Sequence, residues 1–98
     1  MAAYLISDIL VKDPQAFQTY RTRAAISVAK YGGRYLVRGG DIEALEGARS
    51  PQNIVVVEFP DLEAARTWYR SPEYAYALQV RDQALSRELI IVDGVRPG

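Results

Sequence analysis

The chain has no cysteine and no histidine among its 98 residues. The first absence removes disulfides, thiolate nucleophiles, zinc fingers and iron–sulfur clusters together. The second removes a Ser-His-Asp triad, a histidine-ligated haem and most transition-metal sites. Excess charge is missing too: Lys+Arg and Asp+Glu number 12 each. No net field therefore draws in DNA, RNA or an anionic membrane. The single basic stretch, Arg21 to Arg23, is too short for a nucleic-acid arm. The segment MAAYLISDIL has neither the basic region nor the long apolar run of a signal peptide, and the chain has no run of about 18 apolar residues, the length that a membrane span needs. The expectation is one domain over residues 1–98, cytoplasmic, with no metal, no cofactor and neither nucleic acid nor membrane as partner.

What is present reads as alternating strands and helices. Residues 3–11, AYLISDILV, are apolar on both faces, with Tyr4, Ile6, Asp8 and Leu10 on one side. Asp13 and Pro14 suit an N-cap and first helical position. Phe17, Tyr20, Ala24, Val28 and Tyr31 follow at helical spacing, and Gly32 or Gly33 closes that helix. "RYLVR", 34–38, is a second strand, with "IEALEG" as its continuation beyond a glycine bulge. "IVVVEF", 54–59, is dense in β-branched residues and the plainest strand of all.

Asp61 caps a helix bearing Leu62, Ala65, Trp68 and Tyr69 on its apolar face. "SPEY" restarts it, with Tyr74, Ala77, Leu78 and Leu85 on one face, and "ELIIVDG", 88–94, is the last strand. The order β-α-β-β-α-β predicts an α+β, ferredoxin-like fold with a four-stranded antiparallel sheet. Helices cover one face of such a sheet, so the apolar second face predicts a homodimer through that face.

The segment "YGGRYLVRGG", 31–40, lacks the Lys-Ser/Thr of a phosphate loop and the spacing of a dinucleotide fingerprint. Together with "DP..F..Y" at 13–20, "VVVEFPDLEAARTWYRSPEY" at 55–74, Arg81 and "VDG" at 92–94, it resembles the DUF1330 family of the dimeric α+β barrel superfamily. The resemblance covers nearly the whole chain. It implies the fold and the dimer, and it assigns no activity, because the family itself has none assigned. More distant relatives of that superfamily are cofactor-free monooxygenases, isomerases and haem-dependent peroxidases. The haem branch fits a histidine-free chain poorly.

For chemistry, Arg34 and Arg38 are four residues apart on a strand and so are expected on one face, about 13 Å apart. Glu58 and Asp8 are the carboxylates that topology brings nearest Arg38. Three readings of Arg38 stand side by side: an ion pair with such a carboxylate, a grip on an anionic or enolate-like ligand, or simple exposure at the strand end. Arg81 falls in an apolar helical stripe, either snorkelling outward or pointing at a sheet carboxylate or a substrate. Tyr20, Trp68, Tyr69 and Tyr74 lie on inward helix faces, as core or as the wall of a small-molecule pocket. In the second case Tyr69 or Tyr74 is a proton donor, with Glu58 or Asp8 as base.

The expected site is therefore Asp8, Arg38, Glu58, Trp68, Tyr69, Tyr74 and Arg81 around a small organic ligand with an acidic or carbonyl oxygen. Whether the chain is an enzyme is left open. The alternatives are a cofactor-free isomerase or monooxygenase-like enzyme, and a non-catalytic structural or protein-interaction dimer.

Overall fold

The computed structural model describes residues 1–95. Strand β1 (Ala3–Val11) leads into helix α1 (Pro14–Lys30), then strands β2 (Arg34–Arg38) and β3 (Ile54–Phe59). Three short helices follow, α2 (Leu62–Tyr69), α3 (Pro72–Leu78) and α4 (Arg81–Ala84), before strand β4 (Leu85–Asp93). The sheet runs β2-β3-β1-β4 with every neighbouring pair antiparallel. This is the expected α+β, ferredoxin-like arrangement. Among the described residues no helix is long and apolar enough to cross a membrane.

Local chemistry accounts for the element ends. The Asp13 carboxylate accepts from the backbone N–H of Gln15, with Pro14 beginning the helix. Asp61 caps α2 through the Ala64 N–H at 2.7 Å, and Ser71 caps α3 through the Tyr74 N–H at 3.1 Å. At the other end of α1, Gly32 takes φ +80, its N–H donates to the Ala29 carbonyl, and the Gly33 N–H donates to the Val28 carbonyl. That pair of bonds is a Schellman closure. Gly33 has a separate reason to be glycine: a Cβ there would stand 2.8 Å from Val28 and 2.9 Å from the Phe59 ring.

Three expectations are corrected. Residues 42–47, "IEALEG", are not a strand, and β2 ends at Arg38. The bulge lies inside β2 instead, where Tyr35 faces Val57 and Val37 faces Val56, leaving Leu36 as the extra residue. One extra residue reverses the alternation, so Arg34 and Arg38 lie on opposite faces and not on one. The last strand begins at Leu85, three residues before Glu88, so Leu85 is in the sheet and not on a helix. Pairing of Val11 with Leu85 and of Leu10 with Ser86 outweighs the helical pattern of that segment.

Ala3, Leu5, Ser7 and Ile9 of β1 face the helices and are buried, as are Val57 and Phe59 of β3. They meet Tyr20, Val28, Trp68 and Tyr74 in one core. The other sheet face carries Tyr4, Ile6, Leu10, Val56, Ile90 and Val92, and both Leu10 and Ile90 are more than half exposed.

Candidate functional site

Helix α1 leans on α3 and α4. A polar staple holds it there: the Tyr31 hydroxyl donates to Glu73 at 2.7 Å, and Lys30 pairs with the same carboxylate. These contacts lower the Glu73 pKa to about 2, chiefly through the bond from Lys30 and then that from Tyr31. Tilted this way, α1 leaves a gap above the middle of the sheet. The gap is a cavity of about 310 Å³, the small end of ordinary ligand pockets. Phe17, Tyr20, Ala24 and Val28 of α1 form its roof, and Leu5, Ser7, Ile9, Val55, Val57 and Leu89 form its floor. Trp68 closes one side.

Against these apolar walls stand three guanidinium groups, Arg21, Arg38 and Arg87. None of the three is ion-paired to a carboxylate among the described residues. Arg38 lies over the Tyr35 ring at 4.3 Å and Arg21 over Phe17 at 5.8 Å. Each is thus held by an aromatic face, which leaves its N–H groups free for an acceptor. Burial raises the Tyr35 phenol pKa, with Arg38 opposing.

Arg87 is the centre of the polar end. One guanidinium nitrogen donates to the Tyr20 hydroxyl at 2.5 Å and the other to the Tyr74 hydroxyl at 2.6 Å. The two hydroxyls are 2.7 Å apart. Burial, with Tyr20 beside it, pushes the Tyr74 phenol far up, and Arg87 only partly offsets this. Burial works against the Arg87 charge, but the two tyrosine oxygens outweigh it and hold its pKa above the usual arginine value. At neutral pH the cluster is therefore a cation beside the neutral Tyr74 phenol, able to receive an anion or a polarised oxygen.

The expected site residues divide sharply. Arg38 and Trp68 line the cavity, and Tyr74 stands behind its polar end, fully buried, its ring tilted against that of Trp68 with centroids 4.0 Å apart. The Trp68 indole N–H donates to Ser27 Oγ at 2.9 Å. Glu58 and Asp8 are on the opposite face of the sheet. Glu58 pairs with Arg34 at 2.8 Å, and Asp8 meets Arg49 at 3.5 Å. The carboxylate that topology offered to Arg38 is thus taken by Arg34, because the bulge at Leu36 turns only Arg34 outward.

With Glu58 and Asp8 behind the sheet, neither is within reach of Tyr69 or Tyr74 as a base. Tyr69 is 42% exposed and faces a separate groove with Arg81, whose side chain bonds to Asp82 at 3.2 Å.

Arg87, Asn53 and Arg21 were not foreseen, nor was the polar role of Tyr20. A signal existed for Arg87. In Leu85, Arg87, Leu89, Ile91 it is the lone charge in an inward apolar alternation.

Solved structures bear on the fold. A protein of unknown function, RPA0582 of Rhodopseudomonas palustris, is 18% identical with a TM-score of 0.77, over 98% of this chain and 84% of its own. SnoaB, a cofactor-independent oxygenase of Streptomyces nogalater, is 14% identical with a TM-score of 0.70, over 98% of this chain and 95% of its own. A dimeric ferredoxin-like protein of unknown function from Thermobifida fusca is 16% identical with a TM-score of 0.58, over 95% of this chain and 91% of its own. No curated protein matches the chain. The family profile described as "Domain of unknown function (DUF1330)" matches residues 2–95, and the chain belongs to that family.

Proposed function

We propose that the protein binds a small, largely apolar organic anion in the cavity between α1 and the sheet. The observation that carries this reading is the set of three guanidinium groups around apolar walls, without a paired carboxylate among the described residues. Arg38 is exposed, so the cost of a charge in an apolar setting falls on the part-buried Arg87 and Arg21, whose guanidinium groups an anionic acceptor completes. Calorimetric titration with 2-naphthoate at low salt is expected to give binding at least about tenfold tighter than with neutral 2-naphthalenemethanol, from charge-assisted hydrogen bonds. Equal affinity for the two sinks the proposal.

A second reading is catalytic. Arg87 and the tyrosines form a positive, hydrogen-bonding end suited to an enolate or another developing oxyanion. Similarity of fold to a cofactor-independent oxygenase is in keeping with it, although fold alone does not fix activity. Isomerisation or cofactor-free oxygenation of the bound molecule is the chemistry this reading names.

The protein further acts as a homodimer that buries the outer sheet face. Supporting this are the exposed Leu10, Ile90 and Val92 on that face and the dimeric state described for a structural neighbour. Sedimentation equilibrium at micromolar concentration is expected to give twice the chain mass, and Ile90→Lys to return the monomer. A wild-type monomer contradicts the dimer without touching the cavity.

A further inference from the structure

The protons at the polar end of the cavity can be assigned by accounting for each of them. The Tyr20 and Tyr74 oxygens each accept an N–H from Arg87. Each phenol has one proton of its own. The oxygens are 2.7 Å apart, so one of those protons lies between them, and only one fits. If Tyr20 supplied it, the Tyr74 proton would be stranded, since Tyr74 is 0% exposed and does not line the cavity. If Tyr74 supplies it, the spare proton belongs to Tyr20, which does line the cavity. The second arrangement leaves nothing orphaned. It presents a phenolic O–H to the cavity beside the remaining Arg87 N–H groups.

A second polar group lies at the edge of the same space. Asn53 lines the cavity, and its Oδ1, tucked into the wall, has no hydrogen-bond partner among the described residues, so turning it toward a ligand gives up no bond. Its backbone carbonyl accepts the Ile9 N–H at 2.9 Å, and Ile9 stands opposite Arg87 in the sheet. Asn53 and Arg87 are therefore two strand spacings apart, about 10 Å. Between them run the apolar side chains of Ile9 and Leu89 below and Phe17 above.

From this complementarity we propose the class of ligand: a rigid apolar molecule about two fused rings long, with a carboxylate or carbonyl oxygen at one end and a hydroxyl at the other. The oxygen accepts from Tyr20 and Arg87, and the hydroxyl donates to Asn53 Oδ1 as that amide turns out of the wall toward it. This rests on the reading of the cavity as an organic-anion site and adds the direction in which the anion lies.

The test is calorimetric titration of the full chain with 6-hydroxy-2-naphthoate and 2-naphthoate. The wild type is expected to bind the hydroxylated probe about tenfold tighter, one hydrogen bond's worth. Asn53→Ala erases that preference. Tyr20→Phe weakens both probes about tenfold, whereas Tyr74→Phe leaves both within about threefold, because the Tyr20 proton already faces the cavity.

If 2-naphthoate binds but Tyr20→Phe matches the wild type, or the hydroxyl preference survives Asn53→Ala, this inference is wrong and the anion site stands. If 2-naphthoate does not bind the wild type at all, both fall. Neutron diffraction from perdeuterated crystals gives a ligand-free answer. The Tyr74 deuteron is expected on the line between the two oxygens, and finding the Tyr20 deuteron there overturns the assignment.

Discussion

Arg87→Met is expected to weaken 2-naphthoate binding about 10- to 100-fold while leaving the melting temperature no lower than that of the wild type. The two effects have one origin. Arg87 is a partly buried cation whose only side-chain partners in the described residues are the hydroxyls of Tyr20 and Tyr74. It gives a bound anion a charge-assisted hydrogen bond, typically about 1.5–3 kcal/mol. In the ligand-free protein the same charge is a cost, and an apolar side chain of similar length in a buried ionic position is often neutral or stabilising. Tyr20 and Tyr74 still bond to each other when the guanidinium is gone. Calorimetric titration and a thermal melt on the same sample give both numbers. A fall of more than a few degrees in the melt, with affinity kept, would make Arg87 a structural residue and not a binding one.

Trp68→Ala is expected to cost about 3–5 kcal/mol, the usual range for emptying the place of a large buried aromatic. Trp68 is 1% exposed. Its ring lies 4.0 Å from that of Tyr74 and 5.4 Å from that of Phe59. Its N–H is the donor to Ser27 Oγ, itself fully buried. For a domain of this length the loss translates to a melting temperature lower by roughly 15–35 °C. Trp68→Phe retains the packing in part and loses the hydrogen bond, so its cost lies between the wild type and the alanine variant. Urea denaturation followed by circular dichroism ranks the three. An alanine variant as stable as the wild type would mean that this ring is not the keystone between α2 and α3.

The fold was legible because its signals are local. Asp13-Pro14 and Ser71-Pro72 announce helix starts through their own side chains, and the β-branched run at 54–59 admits little but a strand. The site was legible only in part. Tyr4, Ile6, Asp8 and Leu10 do share a face, but β1 is apolar on both sides, so alternation alone cannot say which side the helices cover. Glu58 and Asp8 were assigned to the cleft for that reason and lie behind it.

Arg38 does reach the cavity, although the reasoning about its parity with Arg34 missed the bulge at Leu36. An irregularity with no glycine at the bulged residue has no local signature. Arg87 was lost to a boundary three residues out: with the strand begun at Glu88, its inward alternation had too few members to see. Asn53 sits just ahead of β3, and only the fold reveals that its Oδ1 has no hydrogen-bond partner among the described residues.

The bulge also has a bearing on how copies of this chain meet. With the order β2-β3-β1-β4, β2 is an outer strand, presenting unpaired backbone groups on its free side. Its five residues hold an irregularity in the middle and an arginine at each end. Shortness, a kink and flanking positive charge each make a strand a poor template for another strand to zip onto. Runaway edge-to-edge stacking, the usual hazard of a small open sheet, is thereby discouraged on the β2 side.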